Sequence, residues 1–548
     1  MNPEKALTIG ERWIDSARNP AHNKKNLLSD TLGTELSALK ALTGSIILAE
    51  HVKVISPEQN VATLLPTSAG AMLCNMGILL LGKTLVNLNY TASREAIQSA
   101  MRQADIKTVY TSSQFLQKLA ARGVDMSWLE QEANVIILER LRASTPGLKR
   151  VLTFLRCKFS SVASLKSRYL EPADSQQPAT ILFSSGSEGE PKGVVLSHSN
   201  ILTNVDQIMH IMNIQDNDVV LANLPLFHAF GLTATLFLPL LEGIPVVCHP
   251  DPTDALGSAK AINKFGVTLM FGTSTFFRLY IRNQKITPEM LSTLRLTIAG
   301  AEKLHPEVRE EFYGKFDKLI LEGYGATETA PVACVNIPDH FDVDGYPETK
   351  HKPGSVGLPI PHTEICIIDP DTRQRLAPGK SGMICISGGQ VMLGYLNNPD
   401  KTNAALQVFE GKSWYLSGDK GYLDEDGFLH IQDRYSRFAK VGGEMVSLGL
   451  LEASIRRAVD DFEMELVAVN IPDERKGESI IVLANRNLDK QSLRVDLLAL
   501  GLSSLALPSA CYLVDEVPKL GSGKTDFGTA KKLALNVAEI GSKYAKGE

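Results

Sequence analysis

Short apolar runs of strand length alternate with helix-length segments along most of this chain, and that alternation restricts the fold more than any other feature. VATLLP, TLVNLNY, IKTVYTS and NVIIL follow one another between residues 27 and 139, with helical stretches such as 93–103 between them. The pattern resumes with TILFSS, PVVCHP, TLMFGT and LRLTIAG. Parallel strands need a crossover connection, usually a helix, so this order predicts an α/β fold with largely parallel sheets. From residue 354 the texture changes to short strands and turns (EICIID, GMICISG, YLDEDGFLHIQD), which predicts an antiparallel β subdomain. After Asp433 a compact tail ends in the helical KKLALNVAEI. At 548 residues the chain is too long for one ordinary core.

Composition narrows the class. Hydrophobic residues make up 44% and charged residues 21%, the balance of a soluble globular protein, and the net charge of −5 gives no reason to expect a nucleic-acid partner. Seven cysteines lie scattered without a CxxC pair or a His cluster at metal-ligand spacing, so they read as reduced core thiols of a cytoplasmic protein. The N-terminus has no apolar h-region, and no signal peptide is expected. Two apolar stretches invite a membrane reading. Residues 69–81 are too few to span a bilayer, and 224–248 contain His228, Glu242, Pro225, Pro239 and Pro245, so a buried helix followed by a buried strand is expected there.

One segment differs from the rest. Residues 140–168 hold Arg140, Arg142, Lys149, Arg150, Arg156, Lys158, Lys166 and Arg168 with no Asp or Glu, interleaved with Leu148, Val151, Leu152, Phe154, Leu155, Phe159 and Leu165. Two readings stand: a solvated basic connector, or an amphipathic surface for anionic lipid or an acidic partner, which would make the protein peripheral on the inner face of the cell membrane.

Four loops carry the chemistry. Ser184-Ser185-Gly186-Ser187-Glu188-Gly189-Glu190-Pro191-Lys192-Gly193 leaves the apolar run ILF, and such a loop can offer N–H groups, hydroxyls and a lysine to phosphate oxygens. It does not satisfy GxxxxGK[ST]. Glu322-Gly323-Tyr324-Gly325-Ala326-Thr327-Glu328-Thr329 follows KLIL and sets an aromatic, a hydroxyl and a carboxylate close together, a set that suits a nucleotide and its magnesium. Tyr415-Leu416-Ser417-Gly418-Asp419 puts a carboxylate in a turn where ribose hydroxyls could donate to it, and Pro518-Lys519-Leu520-Gly521-Ser522-Gly523-Lys524 presents a lysine on a glycine-rich loop. Each loop alone could be an ordinary surface turn; four in this order favour one chemistry.

These segments resemble the motifs of the adenylate-forming superfamily of acyl-CoA synthetases, luciferases and peptide-synthetase adenylation domains. The likeness covers about residues 27–533. DTLGTELS, NLNYTA, SSGSEGEPKGVVLSH, LPLFHAFGL, FGTSTF, AGAEKL, RFAKVGGEMVSL and LGSGKTDF are more similar to the acyl–acyl carrier protein synthetase half of bacterial 2-acylglycerophosphoethanolamine acyltransferase/acyl–acyl carrier protein synthetase than to generic acyl-CoA synthetases. The resemblance implies a large N-terminal adenylation domain, 1–433, made of two α/β subdomains plus a β subdomain, and a small mobile α+β C-terminal domain, 434–548, with a hinge near Arg434 and Ser436. It implies that Ser184, Ser185, Gly186, Ser187 and Lys192 form the phosphate loop, and that Gly300, Ala301, Glu302 and Tyr324 frame adenine. Thr327 would contact phosphate, Glu328 would hold Mg²⁺, and Asp419 and Arg434 would bind the ribose. Lys524 would meet the substrate carboxylate and the α-phosphate. Phe227, His228, Phe230 and Gly231 would wall the acyl pocket, with a buried core histidine as the plainer account of His228.

The implied reaction uses ATP and Mg²⁺ to convert a fatty acid to acyl-AMP with release of pyrophosphate. Two anions must approach each other, so charge neutralisation is the main task, and no enzyme nucleophile is needed. A thiol then takes the acyl group. Arg434, Arg437, Lys440, Arg456 and Arg457 would steer an acidic acyl carrier protein, the expected acceptor, with coenzyme A as the alternative. Three positions depart from the common pattern: Glu188 in the phosphate loop, Ser436 at the hinge and Leu450 after it. The rivals are a phospholipid acyltransferase component, suggested by the HxxxxD spacing of His249 and Asp254 in a proline-interrupted loop, and a non-catalytic adenylate-binding protein.

Overall fold

The structure, a computed structural model, describes residues 7–24, 26–184, 191–341, 347–441, 444–473, 477–519 and 525–546. Two large sheets form its frame. In the first, Asn134–Ile137, Thr108–Thr111, Asn60–Leu64, Thr84–Asn87 and Pro178–Ser184 lie side by side and parallel. Lys192–Ser197 then folds back antiparallel, and Gly394–Tyr395 adds an edge strand. The crossover helices start where serine permits: Ser68, Ser93 and Ser112 each accept a hydrogen bond from the N–H three residues on, at the heads of Ala69–Leu80, Arg94–Gln103 and Ser113–Ala121.

The second sheet runs Asn26–Asp30, Val246–Cys248, Val220–Ala222, Leu269–Gly272, Leu296–Ala299 and Ile320–Gly325, all parallel. Val332–Val335 and Leu358–Pro359 close one edge antiparallel, and Glu35–Ser37 the other. A single core joins the sheets, packing Leu85 and Leu182 of the first with Val246 and Leu296 of the second. Between them lie Ala38–Ile55, Ala69–Leu80 and the apolar segment expected to be a helix then a strand. That segment is buried as expected, with a turn Ala229–Gly231, a π-helix Leu232–Phe237, a last helical turn Leu238–Glu242 and the strand Val246–Cys248. The π geometry was not legible in the apolar run; π turns collect at functional sites because they re-aim backbone and side chains.

The predicted antiparallel unit is present: Glu364–Ile368, Gly382–Ser387 and Lys412–Leu423 pair in turn, and Leu406–Phe409 and Leu429–Arg434 both pair with Lys412–Leu423. Beyond it, Phe438–Val441, Glu444–Ser447, Leu466–Asp473, Gly477–Ala484 and Ala510–Leu513 make a further sheet with its own core of Leu451, Ile455, Val482 and Leu497. The predicted tail helix, Phe527–Lys546, covers its other face through Ala530 and Ala534. All seven cysteines are free. Among the described residues, no helix is long and apolar enough to cross a membrane.

Candidate active site

Parallel strands bind ligands beyond their carboxyl ends, and the strand Ile320–Gly325 ends in this way. Gly325 is required there because a Cβ would lie 1.8 Å from the Pro331 carbonyl oxygen. The chain then enters the 3₁₀ turn Thr327–Thr329, held by Thr329, whose Oγ1 accepts from the Ala326 N–H (3.0 Å) and donates to the Pro331 carbonyl (2.6 Å).

Tyr324 points from this strand to Asp419. Its hydroxyl donates to Asp419 Oδ2 at 2.6 Å, while Arg434 Nε pairs with Asp419 Oδ1 at 2.9 Å from the directly opposed position on the neighbouring strand. Asp419 is buried, and its own N–H donates to Ser417 Oγ (3.0 Å). Burial, and then the Asp419 charge, push the Tyr324 hydroxyl well above the usual phenol range, so it stays an O–H donor. The same carboxylate holds Arg434 charged. A carboxylate has about four lone-pair sites, so these two partners leave capacity for ribose hydroxyls.

Glu328 lies in the next turn. Tyr395, on the edge strand against Lys192–Ser197, donates its hydroxyl to Glu328 Oε1 at 2.8 Å, and the ring lies under Lys192 Nζ at 5.9 Å from its centroid. Burial first, then the Glu328 charge, raise the Tyr395 hydroxyl and keep it protonated. Tyr415 is buried in the same field, with Glu328, Tyr395, Tyr324 and Asp419 all acting on it. Sequence reading missed Tyr395 and assigned no role to Tyr415; the aromatic in LGYLN was the available signal for the first. Among the described residues, no group of three or more His, Cys, Asp or Glu side chains converges as a metal cage. A lone carboxylate such as Glu328 suits Mg²⁺, which takes one or two carboxylates and completes its shell with phosphate and water.

The apolar side is separate in character. Leu224, Pro225, His228, Phe230, Thr273, Phe276 and Ala301 line a cavity of only 20 Å³, room for about one water and far too small for an acyl chain. Gly231 seats this wall: a Cβ there would lie 2.2 Å from the Pro225 carbonyl oxygen. His228 Nδ1 accepts from the Phe230 N–H at 3.3 Å and starts the buried segment. Ala301 has φ +70°, a left-handed conformation that a non-glycine residue holds only when its surroundings impose it. Gly300 packs against the Phe230 ring. Thr233 of the π-helix donates to the Ala330 carbonyl at 2.8 Å, which ties the apolar wall to the Glu328 turn.

The expected site residues therefore divide. Tyr324, Asp419 and Arg434 come together, as do Glu328 and Lys192, with Thr327 in the same turn. Gly300, Ala301 and His228 share the apolar wall. Ser184 ends its strand opposite Lys192; Ser185, Gly186, Ser187 and Lys524 lie outside the described residues. Glu302 is directed elsewhere: its carboxylate accepts from the Thr275 N–H at the start of helix Ser274–Arg282, where the helix dipole favours an anion. Phe227 does not line the cavity but packs edge-on against Tyr90, ring centroids 4.9 Å apart.

Two further expectations change. The basic start of the small sheet is not an open docking patch. Arg437 is buried, paired with Glu452 at 2.9 Å, and its guanidinium lies 3.9 Å from the Phe527 ring centroid. Arg456 donates to the Met464 and Leu466 carbonyls, and Arg434 is held by Asp419. Of the five, Lys440 and Arg457 remain exposed and have no such partner among the described residues. Of the two residues expected at a hinge, Arg434 adjoins and Ser436 lies in a 3₁₀ turn, Tyr435–Arg437. The HxxxxD pair forms the predicted loop, with His249 Nε2 3.3 Å from Asp254 Oδ2, but Asp254 also caps helix Ala255–Phe265 through the Gly257 N–H.

A family profile described as "AMP-binding enzyme" matches residues 48–396. A long-chain-fatty-acid–CoA ligase of Bacillus subtilis is 27% identical over 522 residues, covering 90% of this chain and 89% of that protein. One of Escherichia coli O157:H7 is 27% identical over 493 residues, 85% of this chain and 83% of the relative. Among solved structures, ATP-bound MatB from Rhodopseudomonas palustris superposes with a TM-score of 0.78 at 21% identity, covering 97% of this chain and 100% of that one. MenE from Bacillus subtilis in complex with ATP and magnesium ion gives 0.75 at 23% identity over 95% of this chain and 99% of that one. These structural likenesses carry the α/β fold.

Proposed function

Because the chain belongs to the AMP-binding enzyme family, we propose that it is an AMP-forming acid–thiol ligase that activates a long-chain fatty acid with ATP and Mg²⁺ and transfers the acyl group to coenzyme A. The observation that carries the adenylate step is the Tyr324–Asp419–Arg434 cluster beside Glu328, a preformed set of one neutral donor, one cation and two carboxylates. In this reading Asp419 binds the ribose hydroxyls, Arg434 fixes Asp419, and Tyr324, Gly300 and Ala301 face the adenine. Mg²⁺ held by Glu328 would screen the phosphate charge. Thr327, Lys192 and the loop 184–187 bind phosphate oxygens, and Lys524 neutralises the carboxylate and α-phosphate as they meet. Attack of a carboxylate oxygen on the α-phosphorus forms the mixed anhydride and expels pyrophosphate. The thiol then attacks the carbonyl and AMP leaves. Residues 434–548 act as the mobile unit that carries Lys524 in and out.

Coenzyme A replaces acyl carrier protein as the proposed acceptor for two reasons. The relatives that span most of the chain are named CoA ligases, and internal pairing of Arg434, Arg437 and Arg456 removes the charge argument for the carrier. The test offers palmitate and ATP with either coenzyme A or holo-acyl carrier protein and measures the thioester formed. Palmitoyl-CoA is expected. Thioester on the carrier alone would overturn the acceptor, and absence of palmitate-dependent ATP–pyrophosphate exchange would overturn the fatty acid.

A further inference from the structure

Helix Gly147–Phe159 turns its apolar face away from the protein. At about 100° per residue, Leu148, Val151, Leu152, Leu155 and Phe159 fall within an arc of about 100°, and they are 71, 54, 43, 40 and 73% exposed. The opposite face holds Thr153 and Cys157, the helix's two buried residues, and packs on helix Ala38–Ile55. A surface helix normally does the reverse, burying its apolar stripe and exposing its polar one. Nor is this helix loosely held. Arg18 Nη1 donates to the Cys157 (2.7 Å) and Lys158 (3.0 Å) carbonyls and Nη2 to that of Ser160 (3.2 Å), while Lys149 pairs with Glu50 at 2.8 Å.

Cations frame the stripe. Lys149 and Arg156 border one side and Lys158 the other by the same helical spacing. Arg140, Arg142 and Arg168 extend the exposed positive field into the flanking helices Leu138–Ser144 and Val162–Tyr169. Arg140, Arg142, Arg150, Arg156, Lys158 and Arg168 have no carboxylate partner among the described residues, and residues 140–168 contain no Asp or Glu. A protein partner would need a complementary acidic rim around an apolar groove. A bilayer of anionic lipid supplies both at once: acyl chains for the ridge and headgroup phosphates for the fringe, with long basic side chains reaching up to them.

We propose that helix Gly147–Phe159 lies in the plane of an anionic membrane surface, its leucine–phenylalanine ridge among the acyl chains and its cations on the phosphates. This docking does not depend on the proposed ligase activity, although it would set the enzyme where acyl chains are stored. The full chain is to be sedimented, without ATP, with vesicles of phosphatidylcholine alone or of phosphatidylcholine containing phosphatidylglycerol. It should partition onto the second only, and the partition should fall steeply with salt. Leu148→Ser with Phe159→Ser should weaken it at least about tenfold, and Arg156→Ser or Lys158→Ser about fivefold each. These side chains are exposed, so the variants should keep the wild-type unfolding midpoint. Equal binding to both vesicles, or unchanged binding in the ridge variants, would overturn the proposal. So would a concentration-dependent dimer that the ridge variants abolish, with no vesicle binding by the wild type.

Discussion

The two halves of the site follow opposite plans. At the proposed nucleotide end, polar groups are already paired: Tyr324 and Arg434 on the buried Asp419, and Tyr395 on Glu328. At the acyl end the walls are apolar and the space between them holds only 20 Å³. Charged and hydroxyl groups left unpaired in low dielectric cost several kcal/mol, so the polar half is held in place before its ligand arrives. An apolar wall carries no such penalty when it closes, and closing it recovers dispersion contacts. In the proposed reading ATP meets a preformed surface, whereas the fatty acid has to part the residues around His228 and Phe230.

The largest effect should come from the group proposed to join the two ends. Lys524→Ala should abolish palmitate-dependent ATP–pyrophosphate exchange while still permitting thioester formation from supplied palmitoyl-AMP. Normal exchange in that variant would falsify its assignment.

Asp419→Ala tests the preformed half alone. It should lower kcat/KM for ATP by roughly 10²–10³-fold, the loss of about two charge-assisted hydrogen bonds, and leave fatty-acid binding unchanged. Stability should fall by no more than about 1–3 kcal/mol, the cost of leaving the Tyr324 hydroxyl without its acceptor, because the Arg434 side chain is 64% exposed and water can take the place of the carboxylate there. A large fall in the unfolding midpoint would show a structural carboxylate instead.

Gly231→Ala tests the other half. The added methyl would sit against the Pro225 carbonyl, so the wall must shift. We expect a loss of roughly 1–3 kcal/mol in denaturant titration, together with a raised KM for palmitate at unchanged KM for ATP. Equal effects on both substrates would erase the distinction between the halves. Smaller still, Tyr395→Phe removes one hydrogen bond to a carboxylate and should weaken exchange about tenfold, with a stronger dependence on Mg²⁺ concentration.

The smallest effect concerns acid stability. Burial pushes His198 down to about 4, and burial followed by Arg456, Arg278 and Lys303 does the same for His305. Both are neutral in the folded protein and take protons more readily unfolded, so stability is complete above the ordinary value of 6.5 and is lost as pH falls from there toward 4. Unfolding midpoints measured across that window should slope less in His305→Asn. An unchanged slope would remove His305 from the account.

Much of this was legible in the chain. Most strands of both parallel sheets followed from apolar runs set between helix-length segments, though Asn26–Asp30 and Val220–Ala222 did not, and the helix expected over 93–103 starts at Ser93 through a local hydrogen bond that needs no tertiary context. The loop of Tyr324, Thr327 and Glu328 was legible for a similar reason, because it leaves a strand end, and a strand end fixes where a short loop can reach; Asp419, expected in a turn, lies instead within the strand Lys412–Leu423, opposite Arg434. Tyr395 was not legible, because its contact with Glu328 depends on an edge strand distant in sequence that folds against Lys192–Ser197. Arg437 and Glu302 misled for the converse reason. Each is a charged residue in a motif-like run, and charge alone does not say whether a side chain meets solvent, a ligand or a partner from another element.

The amino-acid sequence by itself determined the α/β frame, the order of the site loops and which residues share a helix face. Periodicity is a local property, set by 3.6 residues per turn or by alternation along a strand. Only the tertiary structure decided which face went inward. The residues from Leu224 to Glu242 vanish between two sheets, while Leu148, Val151, Leu152, Leu155 and Phe159, equally regular in spacing, face outward. The physical reason is that burial needs a complementary surface, and helix Ala38–Ile55 met the Thr153 and Cys157 side of that helix instead.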